Sequence, residues 1–228
     1  MDFSVIGDNL SYLMLGAWPE GPLGGAALTL VLSVSSALAS SAIGLALGVA
    51  LAVTQGATHR ALLAFVGFFR AIPVIMLIFW AYFLLPIVLH IDAPALGTVV
   101  CSLSLIGGAY LAHSVWAGIS SLPRGQWHAA RALGMRPWQV MRWVILPQAL
   151  PIMAPSFVNQ WISLTKDTSL AYVIGVGELS FVAAQVSNRV MVHPTEIFLF
   201  VGAVYYLVCA SLELCANRLA RRYAVPVR

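Results

Sequence analysis

Lys166, Asp167, Thr168 and Ser169 stand in a row near the end of a long apolar run, and their side chains are the first that could do chemistry here. If that run crosses a membrane, each of these groups is costly unless it meets a partner or a wet cavity. Consecutive charges of opposite sign offer both signs to a zwitterionic solute, or they neutralise each other as a structural pair. Neighbouring side chains diverge by ~100° around a helix, so one can face a path while the other faces a neighbouring helix. His113 is the second candidate. It follows Tyr110 by three residues and so shares nearly the same helical face; it either meets a solute or is hydrogen-bonded between helices.

The elements that must hold these residues follow from composition. Hydrophobic residues make up 61% of the 228 and charged residues 9%, with a mean hydropathy of +0.90, which a soluble fold of this size cannot hide. At ~20 apolar residues per span, four to six transmembrane helices fit, and the runs lack the period-two alternation of a β-barrel. Five spans are read at 26–53, 61–89, 96–119, 151–174 and 197–219. The expected fold is therefore an all-α membrane protein. Residues 1–25 carry no basic n-region ahead of an apolar core, so they are expected to persist as an interfacial segment, on the outer side. Cys101, Cys209 and Cys215 sit at unrelated spacings in apolar runs and read as small buried packing residues. Gly44 and Gly48 form a GxxxG pair suited to close helix packing. Gly175 and Gly177 are expected to break the fourth span at its outer end, leaving 177–196 as an outer loop.

Orientation follows from the basic residues, which are retained on the cytoplasmic side during insertion. Of twelve Lys and Arg, all but Lys166 and Arg189 cluster in the 54–70 turn region, in the island after the third span or after the fifth span. With five spans this puts the N-terminus in the periplasm and the C-terminus, with a tail at 223–228, in the cytoplasm. The net charge of +4 thus reflects topology and contact with membrane lipid rather than nucleic-acid binding.

The cytoplasmic island, 120–147, contains GQWHAARALGMRPWQVMRWVILP from Gly125 to Pro147. Ala129, Ala130, Ala132 and Leu133 make a helix with a small-residue face, Gly134 ends it, and Pro137 suits the opening turn of a second helix. Two short helices at a bend make a knob that fits a groove on another protein; an amphipathic helix lying on anionic lipid is the simpler alternative.

The spacing in this island resembles the EAA loop of bacterial ABC importer permeases: Ala129 and Ala130, three residues, Gly134, nine residues, then Val144, Ile145, Leu146 and Pro147. His128 stands where that family usually has Glu. FFRAIPVIMLIFWAYFLLP (68–86), GAYLAHSVWAGISSLPRGQW (108–127) and KDTSLAYVIGVGEL (166–179) are similar, in order and spacing, to the polar amino acid branch that handles histidine, glutamate, glutamine, arginine and opines. The 69–86 and 167–175 segments look most like the glutamate/aspartate permeases. The resemblance implies a type I ABC importer transmembrane domain over 26–222. It implies a second permease, identical or a sister chain, an ATP-binding subunit dimer and a periplasmic amino-acid-binding protein. His128, Ala129, Ala130, Gly134, Leu146 and Pro147 would couple to the ATPase, while His113, Lys166, Asp167, Thr168 and Ser169 would line the substrate path. Relatives commonly carry Glu where His113 stands, so a histidine there leans away from basic substrates and toward acidic ones. The chain has no GxxxxGK[ST] loop and one lysine, so it is read as a non-hydrolysing subunit with no cofactor of its own, ATP and Mg being bound by the partner ATPase. A self-sufficient secondary carrier, with His113, Lys166 and Asp167 as an ion relay, is the rival expectation.

Overall fold

The computed structural model describes residues 4–191 and 193–223, leaving out the side chains at 217 and 219–223. Asp2, Arg228 and most of the expected 223–228 tail therefore lie outside the described residues, as do the side chains of Arg221 and Arg222. Eleven α-helices are described: α1 Ser4–Leu15, α2 Gly25–Val53, α3 Gly56–Ala71, α4 Val74–Phe79, α5 Leu85–Leu89, α6 Ala95–Ser120, α7 Arg124–Ala132, α8 Pro137–Gln139, α9 Leu146–Asp167, α10 Leu179–Val190 and α11 Pro194–Tyr223. Among the described residues there is no strand beyond two isolated bridges.

Three helices are long and apolar enough to cross a membrane: Gly25–Val53, Ala95–Ser120 and Pro194–Ala216. The span read at 61–89 is instead a bent pair, Gly56–Ala71 and Val74–Leu89, meeting at 98°. Pro73 is the cause, since a residue before proline is pushed out of the helical region, and Ile72 is extended at φ −80, ψ 131. The segment read at 151–174 is helical from Leu146 to Asp167 and tightens to a 3-10 helix at Thr168–Ile174. It does not stand among the long apolar helices, because Gln148, Asn159, Gln160, Lys166 and Asp167 dilute it.

Small residues set the register of the central pair. A Cβ on Gly44 would collide with Leu111, one on Gly48 with Val115, and one on Gly108 with Ile43, so α2 and α6 run parallel at close approach. Lipid is as apolar as the side chains, and such backbone proximity supplies the dispersion contact that holds membrane helices together. Between these helices the chain returns along the bundle: Val66 packs with Leu51 and Ala112, whereas Ile78 packs with Leu28, Leu32 and Leu103. α9 runs antiparallel to α6, with Met153 against Gly118 and Leu164 against Gly107. α11 in turn runs antiparallel to α9, Tyr205 meeting Thr168 and the Cys209 thiol lying 4.0 Å from the Ile162 carbonyl. Cys101 and Cys215 are exposed rather than buried as expected; both sit on outward faces of apolar helices.

Two π-helical turns interrupt the bundle, at Trp80–Leu84 and Val140–Ile145. Each ends on a residue that donates five positions back, Leu85 to Trp80 and Leu146 to Met141, and each is followed at once by a proline, Pro86 or Pro147. Proline has no N–H and its ring crowds the carbonyl four residues back, so the widened turn relieves that conflict without ending the helix.

Candidate functional site

The elbow at 124–147 is built by local chemistry. Gly134 adopts φ +79, and the Met135 N–H donates to the Ala130 carbonyl while the Gly134 N–H donates to Arg131. These are the two bonds of a Schellman turn, which closes α7 and satisfies its last carbonyls. Pro137 opens α8, and the Arg136 N–H donates to Gln139 Oε1 at 2.7 Å. The turn-and-restart expected from Gly134 and Pro137 is present.

The contact face differs from expectation at one position. Ala130 is 4% exposed and packs toward Val115, Ile119, Met141 and Ile145, so it anchors α7 to the bundle instead of facing outward. A helix turns ~100° per residue, and burying Ala130 together with half-buried Trp127 turns His128, Ala129, Ala132 and Leu133 outward. Leu133 is 82% exposed at the tip. Leu146 is half-buried and Pro147 exposed at the far side of the π-turn.

The expected path residues are not brought together. Leu164 packs on Gly107, which puts Lys166 and Asp167 at that level or beyond, toward the α1 end. His113 lies six residues the other way along α6, ~9 Å nearer the elbow. There its ring meets Trp116 edge-on at 5.3 Å, His59 meets the same indole at 5.5 Å, and His113 Nδ1 is buried without a hydrogen-bond partner. Lys166 is exposed and Asp167 half-buried, as their divergence around the helix requires. Thr168 is fully buried and donates to the Thr165 carbonyl, so it offers no free surface; Ser169 donates to Lys166 and stays half-buried.

Sequence reading missed Asn159. It lies seven residues before Lys166 and eleven after Gln148, two and three helical turns, so all three fall on one exposed face of α9. Pro151 and Pro155 lie inside α9, and each leaves the carbonyl four residues back without its helical donor. A stripe of two amides and an ammonium does not suit lipid. The spacing alone could have found it.

Glu178 holds the α1 end. Its carboxylate accepts from the Ser180 and Phe181 N–H groups and from the Tyr205 hydroxyl, each at 2.9 Å, and it has no exposed surface. The same few residues are bonded to α2, since the Gly25 N–H donates to Gly177 and the Leu179 N–H to Thr29 Oγ1. The outer loop expected at 177–196 is therefore largely a helix, α10, capped by Glu178 and packed through Leu179, Val182, Ala183 and Val186. α1 joins this cluster through fully buried Leu13.

Over residues 42–225 the sequence matches the family of binding-protein-dependent transport system inner membrane components. The chain belongs to this family. It is 34% identical, over 98% of both chains, to the glutamate/aspartate import permease protein GltK of Escherichia coli O6:H1 (strain CFT073). It is also 34% identical to the glutamine transport system permease protein GlnP of E. coli (strain K12), covering 91% of this chain and 96% of that one. Among solved structures, an amino acid ABC transporter with histidines superposes with a TM-score of 0.82 at 23% identity, over 97% of this chain and 99% of that one. The MetNI methionine ABC transporter, in an inward-facing form, gives 0.75 at 24% identity over 87% and 94%. The protein is thus a multi-pass inner-membrane permease of the ABC importer fold, a transport subunit. None of these matches supports the self-sufficient carrier.

Proposed function

We propose that this permease carries a polar, acidic-leaning amino acid, delivered by a periplasmic binding protein and driven by a separate ATPase dimer. The observation that carries the coupling half of this reading is the elbow, whose Schellman turn holds an outward strip of His128, Ala129, Ala132 and Leu133 at the end of the bundle away from α1. An exposed leucine at the tip, beside two exposed alanines, gives this strip an apolar, closely approachable face suited to a protein groove. Closure of the ATPase dimer would drive two such elbows together and rock the bundles between inward-open and outward-open states.

The register of α2, the bent pair, α6, α9 and α11 favours five membrane crossings, with α1 periplasmic and the elbow cytoplasmic. α9 is then the crossing that faces the path: its polar stripe of Asn159 and Lys166, with Asp167 and Ser169 beyond, gains the wet or protein surroundings it needs against a second permease. Lys166 offers a cation to a substrate carboxylate, and Asn159 can both donate and accept. His113 sits apart from this stripe and acts, on this reading, at a different depth. GltK and GlnP act on glutamate, aspartate and glutamine by name, which favours the same chemistry here. The test is ATPase stimulation of the reconstituted complex by its binding protein loaded with each amino acid in turn. Glutamate or aspartate is expected to stimulate most, and stimulation by arginine or lysine alone would overturn the assignment.

A further inference from the structure

Between the elbow and the last turn of α2 lies a pocket of about 670 Å³. Val49 and Met141 give it apolar walls, Trp127 and Trp138 flank it, and Arg131 and Gln55 supply its polar groups; no carboxylate is among its lining residues. Trp127 and Arg131 are four residues apart on α7 and project from one face. That face lies roughly 150° around the helix from the centre of the outward strip His128, Ala129, Ala132 and Leu133. The pocket and the proposed docking surface therefore occupy different sides of the same helix.

We propose that this pocket binds the headgroup and glycerol region of an anionic phospholipid of the inner leaflet. The apolar stretch of α2 ends at Val53, so the pocket sits where hydrocarbon gives way to water. At that depth an arginine can pair with a lipid phosphate, and two indoles can lie along the glycerol region with their N–H edges toward polar groups. Gln55 adds an amide for headgroup hydroxyls, and Val49 and Met141 meet the upper acyl chain. Arg124, Arg136 and Arg142, all exposed on the elbow, raise the local positive potential and favour an anionic over a zwitterionic lipid. A lipid seated here fills the space between elbow and bundle and fixes the angle at which the elbow leaves α6. The inference rests on the cytoplasmic placement of the elbow proposed above.

The probe is dioleoyl phosphatidylglycerol against dioleoyl phosphatidylcholine, added to the purified full-length chain in detergent and read as bound lipid by native mass spectrometry. Phosphatidylglycerol should be retained about fivefold better, the increment expected for one arginine near a lipid surface. Arg131→Gln should cut the preference to less than about twofold, the remainder left to the exposed arginines of the elbow. Val53→Trp, which fills the pocket and leaves the arginine in place, should do the same. Arg142→Gln, whose guanidinium lies over Trp143 outside the pocket, should change the ratio by less than about twofold. Equal losses from Arg131→Gln and Arg142→Gln would reduce the effect to general surface attraction and overturn the pocket. Millimolar inorganic phosphate should not displace the lipid; full displacement would identify a phosphate site instead. Topology is tested separately by Gln55→Cys in a background with Cys101, Cys209 and Cys215 changed to Ala. A membrane-impermeant maleimide should label it in inside-out vesicles and not in spheroplasts. Labelling from the spheroplast side overturns the topology, whereas correct labelling with no lipid preference overturns the pocket alone.

Discussion

At the α1 end a carboxylate with no exposed surface is met by two backbone N–H groups and a phenol, whereas at the elbow the arginines are exposed and shape is held by apolar contacts and one glycine. The first arrangement is a joint. Separating α2, α10 and α11 there exposes several polar groups that satisfy one another, so the parts should move as one body. The second arrangement presents a surface whose outward groups are free to meet another protein, at no cost to the bundle behind it. A transport subunit that transmits force needs both, a stiff joint at one end and an open docking edge at the other.

The largest test of that contrast is Glu178→Ala, which orphans the Ser180 and Phe181 N–H groups and the Tyr205 hydroxyl in a buried site. A loss on the order of 3 kcal/mol is expected, read as a lower thermal midpoint of the purified chain in detergent. Glu178→Gln keeps an acceptor oxygen and should lose less than half of that. An unchanged midpoint in Glu178→Ala would mean that the joint is not held by its polar groups.

Raising the pH should act on the same joint. Burial is the leading influence on the Glu178 carboxyl and raises its pKa above the ordinary carboxyl value, while the bonds from Ser180, Phe181 and Tyr205 pull the other way. With the folded value above the unfolded one, the contribution is fully present below the unfolded pKa and is lost as pH rises through the folded pKa. The thermal midpoint should therefore fall more steeply across that window in the wild-type chain than in Glu178→Gln. A midpoint that rose over the same window would reverse the assignment.

Gly134 tests the opposite end. Its φ of +79 excludes β-branched residues, yet a Cβ there would meet nothing within 4 Å, so a small substitution reports on the backbone alone. Gly134→Val should cost the elbow about 1–2 kcal/mol and lower binding-protein-stimulated ATPase turnover, while Gly134→Asn, which tolerates the left-handed region, should retain most of it. Equal activity in the two variants would show that the turn geometry is not what the partner reads.

What could be read in advance at these two ends differs for a physical reason. Gly134 and Pro137 act through their own backbones, so the elbow was legible from single residues. The break at Ile72–Pro73 is written equally plainly, but mean hydropathy runs straight through it and the bend was read as one span. α10 was legible in part: Leu179, Val182, Ala183 and Val186 have helical spacing, and Glu178 stands at the capping position ahead of them. That Ala130 turns inward was not legible, because Val115 and Ile119, which it packs against, belong to another helix. The same holds for Thr168, buried beneath Tyr205 from a helix nearly forty residues on. Asn159 carries no charge to mark it, and only the seven-residue interval to Lys166 places it on the same face.

The smallest expected effect is at His128, where the family usually places a glutamate. His128 is exposed and is the fifth residue of α7, beyond the first turn in which the positive end of a helix favours a carboxylate. A glutamate there would have Arg124 four residues before it and Arg131 three after it, spacings worth roughly 0.2–0.5 kcal/mol each on an exposed helix and weaker for the pair in which the cation comes first. His128→Glu should therefore shift the thermal midpoint by no more than the error of the measurement and leave stimulated ATPase turnover within about twofold of wild type. The same substitution also asks whether the docking partner has adapted to a histidine. If His128→Glu abolished stimulation while the midpoint held, the partner would be reading the charge at this position, and the outward strip would be specified by electrostatics as well as by the shape that Ala129, Ala132 and Leu133 give it.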